Sequence, residues 1–208
     1  MEPGERRSVV IFIGVIALTG ATYAVSFGVM AVGLIRFAVD LHRLAQFFPA
    51  LNALGLAAAF IGLLWLPNRY EVRGLAKTGA ALALLAAASF VLVLVGMEVG
   101  WRIQATGFAA IVGALLLNAA WITAVLSMSG IASAAKSRHA QSVLSWALLV
   151  FVLAHMAGGM FAIMRRLPAG EVLRTVSFVL FTATFAMVAI AGVLALRVPQ
   201  DVQPETFD

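Results

Sequence analysis

The sequence predicts an all-α fold, a bundle of six membrane-crossing helices, and three observations predict it. Six long apolar stretches account for most of the 208 residues, with short charged joints between them. The chain is 63% hydrophobic and only 11% charged, where a soluble domain carries about a quarter charged residues. Mean hydropathy is +1.04. The stretches run Val9–Ile35, Leu44–Leu66, Leu75–Val95, Thr106–Ala135, Ser142–Met164 and Val172–Leu196. Each reaches the ~20 residues a helix needs to cross a ~30 Å hydrocarbon core. The apolar excess therefore predicts a lipid-facing surface, and residues 1–197 read as one transmembrane domain. Little length is left for a soluble cofactor-binding module.

The first stretch follows Arg6 and Arg7, as a signal peptide would. Its length of roughly 27 residues exceeds the ~7–15 of a signal core, so it reads as a retained helix. Gly20, Ala24 and Gly28 recur every fourth residue on one face. Helices in lipid associate through small residues that let backbones approach, so this face is expected to meet protein. The second stretch carries Asn52, Gly55, Ala59 and Gly62 along one stripe and is stopped by Pro67-Asn68, because proline lacks the donor to continue a helix. The third ends near Glu98, the acidic residue closest to an apolar span. The fourth carries Ala110, Ala114 and Asn118 at the same spacing. The fifth contains His155, with Gly158 and Gly159 three and four positions on, and ends before Leu167-Pro168-Ala169-Gly170. The sixth is followed by a polar tail, residues 198–208, with two prolines. Trp65, Tyr70 and Trp101 stand near expected interfaces, where amphipathic rings prefer to lie.

Six crossings place both termini on one side. Arg6, Arg7, Arg69, Arg73, Lys77, Lys136, Arg138 and Arg197 lie on that side, and Arg36, Arg43, Arg102, Arg165, Arg166 and Arg174 on the other. Eight bases against six favour cytoplasmic termini by the positive-inside rule, although Arg165 and Arg166 pull the other way. A His-Arg pair precedes the second stretch (His42, Arg43), and Arg138-His139 precedes the fifth. A proline joint follows each. This permits a three-plus-three inverted repeat, a plan found in transporters.

Composition removes several chemistries. There are no cysteines, which excludes disulfide exchange, thiolate catalysis, iron–sulfur ligation and Cys-based zinc sites. The net charge of +5 is spread over all the joints, which suits anionic headgroups and not a clustered nucleic-acid face. Lys77 and Lys136 stand at helix ends, unsuited to a retinal Schiff base, and His42 and His139 are too shallow to pair with His155 around a haem. Ser129 and His155 differ by about 10 Å in expected depth, too far for a serine–histidine pair. No acidic residue lies mid-span to couple a cation or act as a general acid. Met156, Met160 and Met164 read as ordinary packing, not as a soft-metal site.

His155 is the one ionisable side chain deep in an apolar stretch. Imidazole at that depth needs a partner or water. Antiparallel neighbours would place it within about 6 Å in depth of Asn118. Three roles are open: a structural hydrogen bond, a proton- or solute-sensing group, or a ligand to haem or a chlorophyll-type pigment. No cofactor or metal is otherwise expected. The functional expectation is a small transporter or channel-like protein for a neutral or weakly charged solute. It would be homo-oligomeric, with His155, Asn118 and Asn52 near the midplane. The alternative is a non-catalytic membrane-embedded subunit of a larger complex, a redox complex being one option. A membrane enzyme ranks behind both.

Overall fold

The computed structural model describes residues 3–31, 39–65, 72–100, 103–164 and 168–196; side-chain surroundings are described for most of these, but not for 3, 23–31, 39–46, 103–104, 161–163, 168, 170–171, 174, 178 or 196. Among the described residues there are six helices: α1 (Pro3–Ala31), α2 (Val39–Leu63), α3 (Arg73–Val99), α4 (Ile103–Ala134), α5 (Arg138–Met164) and α6 (Pro168–Leu196). No strand occurs among the described residues. Four of the helices are long and apolar enough to cross a membrane, over Arg73–Val99, Ala105–Ala134, Arg138–Met160 and Thr175–Ala195. In α2 the stretch Phe47–Leu63 is apolar over a shorter length.

Most of the helices begin earlier than the apolar stretches, because charged joint residues form their first turns. Pro168 differs most from expectation: it opens α6 and is not part of a joint. Proline suits that position, since the first helical N–H has no intrahelical partner to lose. Pro3 opens α1 in the same way. Pro49 lies inside α2, which continues through it. At the end of α3, Gly100 adopts φ 73° and donates its N–H to the Gly96 carbonyl. The α4–α5 joint is a three-residue turn. Ser137 N–H donates to the Ala132 carbonyl and Lys136 N–H to that of Ser133, with Lys136 at φ 55°. This pairs the last carbonyls of α4 in a Schellman arrangement. The Ser137 hydroxyl then accepts from Ala140 N–H and caps α5. Pro67, Asn68, Tyr70, Trp101, Arg165, Arg166 and the tail lie outside the described residues, as do the side chains of His42 and Arg43.

Each helix packs on its neighbour in sequence, most extensively α5 on α6, then α3 on α4 and α2 on α3. The weakest sequential pair is α4 with α5. The ring is closed by α1 against α6, and α4 also reaches α2 and α6, which makes it the most central helix.

Glycines set the closest approaches. The Phe60 ring of α2 lies directly over Gly79 of α3, where any side chain would collide with it. A Cβ at Gly20 of α1 would stand 3.0 Å from Phe185 Cβ of α6, and one at Gly192 of α6 would stand 2.7 Å from Ile13 of α1. The two contacts are seven residues apart on each helix and run in opposite directions, which fixes α1 and α6 as antiparallel. The buried line of α3 is alanine, at Ala76, Ala80, Ala83 and Ala86. In α4 the buried face is Gly113, Leu117, Ala120, Trp121 and Ala124, and Ala114 is exposed. The small-residue stripe read on this helix therefore sits beside its packing face. A helix with neighbours on several sides is packed with bulky groups as well as small ones. Outward positions are apolar too, with Leu18, Phe108, Leu115 and Val179 all exposed.

Candidate functional site

Two groups of polar side chains inside this bundle stand out, one between α1, α2, α4 and α6 and one on the seam of α5 with α6; Glu5, Thr123, Ser127 and Ser137 are buried elsewhere. In the first, Asn52 of α2 is 4% exposed and faces α1. Gly55, one turn on, has Thr19 Oγ1 3.2 Å from where its Cβ would be, and Ala59 is buried beyond it. Gly62 has no atom within 4 Å of its Cβ position. The stripe from Asn52 to Ala59 thus carries α1, and Gly62 does not.

Thr22 Oγ1 lies 2.8 Å from Asn52 Oδ1 and 2.9 Å from the Thr19 carbonyl. A hydroxyl has one proton and cannot donate to both acceptors. Exchanging the amide oxygen and nitrogen of Asn52 reconciles the distances: Thr22 donates to the Thr19 carbonyl and accepts from Asn52 Nδ2. In either orientation one end of the amide is paired and the other is buried without a partner. Trp121 of α4 presents the same feature. It is 2% exposed, and its Nε1–H has no hydrogen-bond partner. Its ring lies tilted against that of Phe185 of α6, centroid to centroid 4.7 Å.

These groups share a level. Thr22 stands opposite Asn52; Phe185 stands opposite Gly20, two residues from Thr22; and Trp121 stands beside Phe185. Two helical residues advance about 3 Å, so the level is less than a turn thick. Thr184 is next to Phe185, fully within the core, and donates to the Leu180 carbonyl. Asn118 is half-buried and three residues from Trp121, hence on the same side of α4. Sequence reading missed Trp121. Its signal was an indole in the middle of an apolar stretch, away from the interfaces such rings favour.

His155 lies in the second place. Its Nδ1 is 2.9 Å from the Phe151 carbonyl of its own helix. A carbonyl only accepts, so Nδ1 carries the hydrogen, and in the neutral ring Nε2 holds the lone pair. The ring packs between Phe151, at 4.3 Å, and Phe181 of α6, at 4.9 Å. Gly158 is where α6 comes closest, with Ser177 Oγ 3.1 Å from its Cβ position. Ser177 donates to the Ala154 carbonyl across the same seam. Gly159 has no atom within 4 Å of its Cβ position. A side chain one turn beyond His155 would lean back over the ring, so Gly159 leaves that side uncovered.

Among the described residues no hydrogen bond joins His155 to Asn118. The reason is architectural: α5 packs chiefly on α6 and only slightly on α4. Asn52 and Asn118 are at the level of Trp121, and His155 is one turn away along α6, beside Phe181. The Gly20 position is closed by Phe185; the side-chain surroundings of Ala24 and Gly28 lie outside the described residues. Among the described residues no three His, Asp or Glu side chains converge to hold a metal.

The arrangement can offer hydrogen bonds in an apolar interior. It has two orphaned polar ends, one of them a donor, and a histidine whose free nitrogen faces away from its own helix bond. Comparison with protein-family models, with curated proteins and with solved structures gives no match to this chain.

Proposed function

We propose that the chain is a multi-pass membrane protein whose six helices all cross the bilayer, with both termini in the cytoplasm, and that it passes a small neutral or weakly charged solute. The observation that carries this reading is the level of Asn52 and Trp121, each buried with one polar end unpaired, in helices whose outer faces are apolar. Unpaired polar groups are expensive in a bilayer interior, where no bulk water relieves them. A solute path gives them an occasional partner. The lack of mid-span acidic groups fits a solute that is not a strongly coupled cation. The His42-Arg43 and Arg138-His139 pairs fit halves of inverted topology, α1–α3 and α4–α6. In proteoliposomes, stopped-flow light scattering with glycerol or acetamide gradients should show flux above that of empty vesicles. Permeability equal to empty vesicles for both would overturn the reading.

A second reading is a subunit of a larger membrane complex, and His155 favours it. Its ring is half-buried, oriented by its own helix and left uncovered by Gly159, as a group meant to be met from outside would be. Stoichiometric partners on mild purification, or a Soret band, would support this reading. A homo-oligomer without either would favour the first.

A further inference from the structure

We infer that the level between α1, α2, α4 and α6 is a recognition site for a small neutral molecule bearing a hydroxyl or carbonyl oxygen, held by Trp121 Nε1–H and the free end of the Asn52 amide. The inference rests on the solute-path reading and adds the ligand's chemistry.

The two groups specify that chemistry by what they can and cannot do. An indole N–H donates only, so its partner must be an acceptor. The free end of Asn52 is a donor in one amide orientation and an acceptor in the other. A hydroxyl, or an amide with both functions, satisfies Trp121 and either orientation of Asn52. A cation cannot satisfy Trp121, whose N–H only donates. The surroundings exclude an anion on energetic grounds: Phe185, Ala120 and Leu117 are apolar, and Thr19, Thr22 and Thr184 spend their hydroxyl protons on helix carbonyls. Thr22 holds one end of the Asn52 amide at 2.8 Å, which fixes the direction of the other. Phe185 holds the Trp121 ring at 4.7 Å and is itself backed by Gly20. Both orphaned groups are thus positioned by neighbours on other helices. Burying such a group unpaired is costly, and here two occur within one turn of depth.

The test uses Trp121 as its own reporter. Trp65, Trp101 and Trp146 are replaced by Phe, and the full chain is reconstituted in nanodiscs. Glycerol and acetamide are titrated while indole emission is followed, with sucrose as a probe too large to enter. Glycerol or acetamide should shift the emission saturably, and sucrose should not. Asn52→Leu should weaken the half-saturation roughly tenfold, as loss of one hydrogen bond of ~1.4 kcal/mol implies. Asn52→Ser, which keeps a hydrogen-bonding group, should fall between. The shift is read only in variants whose thermal unfolding matches the parent, and Asn52→Ser serves if Asn52→Leu does not fold. An emission that neither probe moves overturns the inference and leaves internal water as the partner. So does a shift that Asn52→Leu and Asn52→Ser leave unchanged. The two readings fail separately: a saturable shift without flux keeps the site and removes transport, and flux that persists in Asn52→Leu keeps transport and removes the site.

Discussion

Asn52 and His155 present the same problem, a polar side chain deep in an apolar helix, and the fold treats them in opposite ways. His155 is satisfied within its own helix, by the Phe151 carbonyl four residues back, and packs between two phenyl rings. Asn52 is satisfied across helices, by Thr22 of α1, and only at one end. The difference follows from spacing. An imidazole can reach a carbonyl one turn away, so His155 needs nothing from α4 or α6. Asn52 is pressed against α1 by Gly55, and the partner it finds is the residue that α1 brings. A bond within one helix leaves neighbouring helices independent, whereas a bond between helices makes the position of one depend on the other.

The largest effect expected from this contrast lies in the glycines of the two places. Gly20→Leu should destabilise by about 2–3 kcal/mol, because the clash is with Phe185 Cβ, which cannot swing away. Gly159→Leu should be neutral, or stabilise by up to about 1 kcal/mol through helix propensity, since its Cβ position is empty. Reversible unfolding in mixed micelles compares them, and equal losses would erase the distinction. Next in size, Thr22→Val removes the cross-helix partner and leaves the whole Asn52 amide unpaired, a loss of about 1–2 kcal/mol. Adding Asn52→Leu to that variant should recover part of the loss. A double-mutant cycle should give a coupling of about 1 kcal/mol, and a coupling of zero would mean the pair does not act as a unit. The smallest effect belongs to His155→Gln, expected within about 0.5 kcal/mol of the parent, because the bond it loses is local. A loss as large as that of Thr22→Val would show that His155 holds α6 as Asn52 holds α1.

Helix number and approximate span were legible because each apolar stretch is uninterrupted and each joint carries charge. Starts were less legible. Charged residues such as Arg73 and Arg138 read as joint yet form first turns, and Pro168 reads as a stop but serves as a start. Asn52 and His155 were visible as polar letters in apolar text. What they touch was not, since that depends on which helices adjoin. The expected nearness of His155 and Asn118 assumed that consecutive helices pack side by side along their length, and α4 and α5 do so least of all. Trp121 was invisible as a polar group because most of an indole is apolar, and only burial of its N–H without a partner gives it meaning.

The closure of the ring by α1 and α6 has a consequence for synthesis. Helix α1 leaves the ribosome well before α6, yet its partner face, with Ile13 and Gly20, is shaped for Gly192 and Phe185 of α6. Until those residues are made, α1 is covered on its α2 side alone. Release of a nascent chain before α6 would leave that groove open, a ready mark by which quality control could tell a chain without α6 from one that has it.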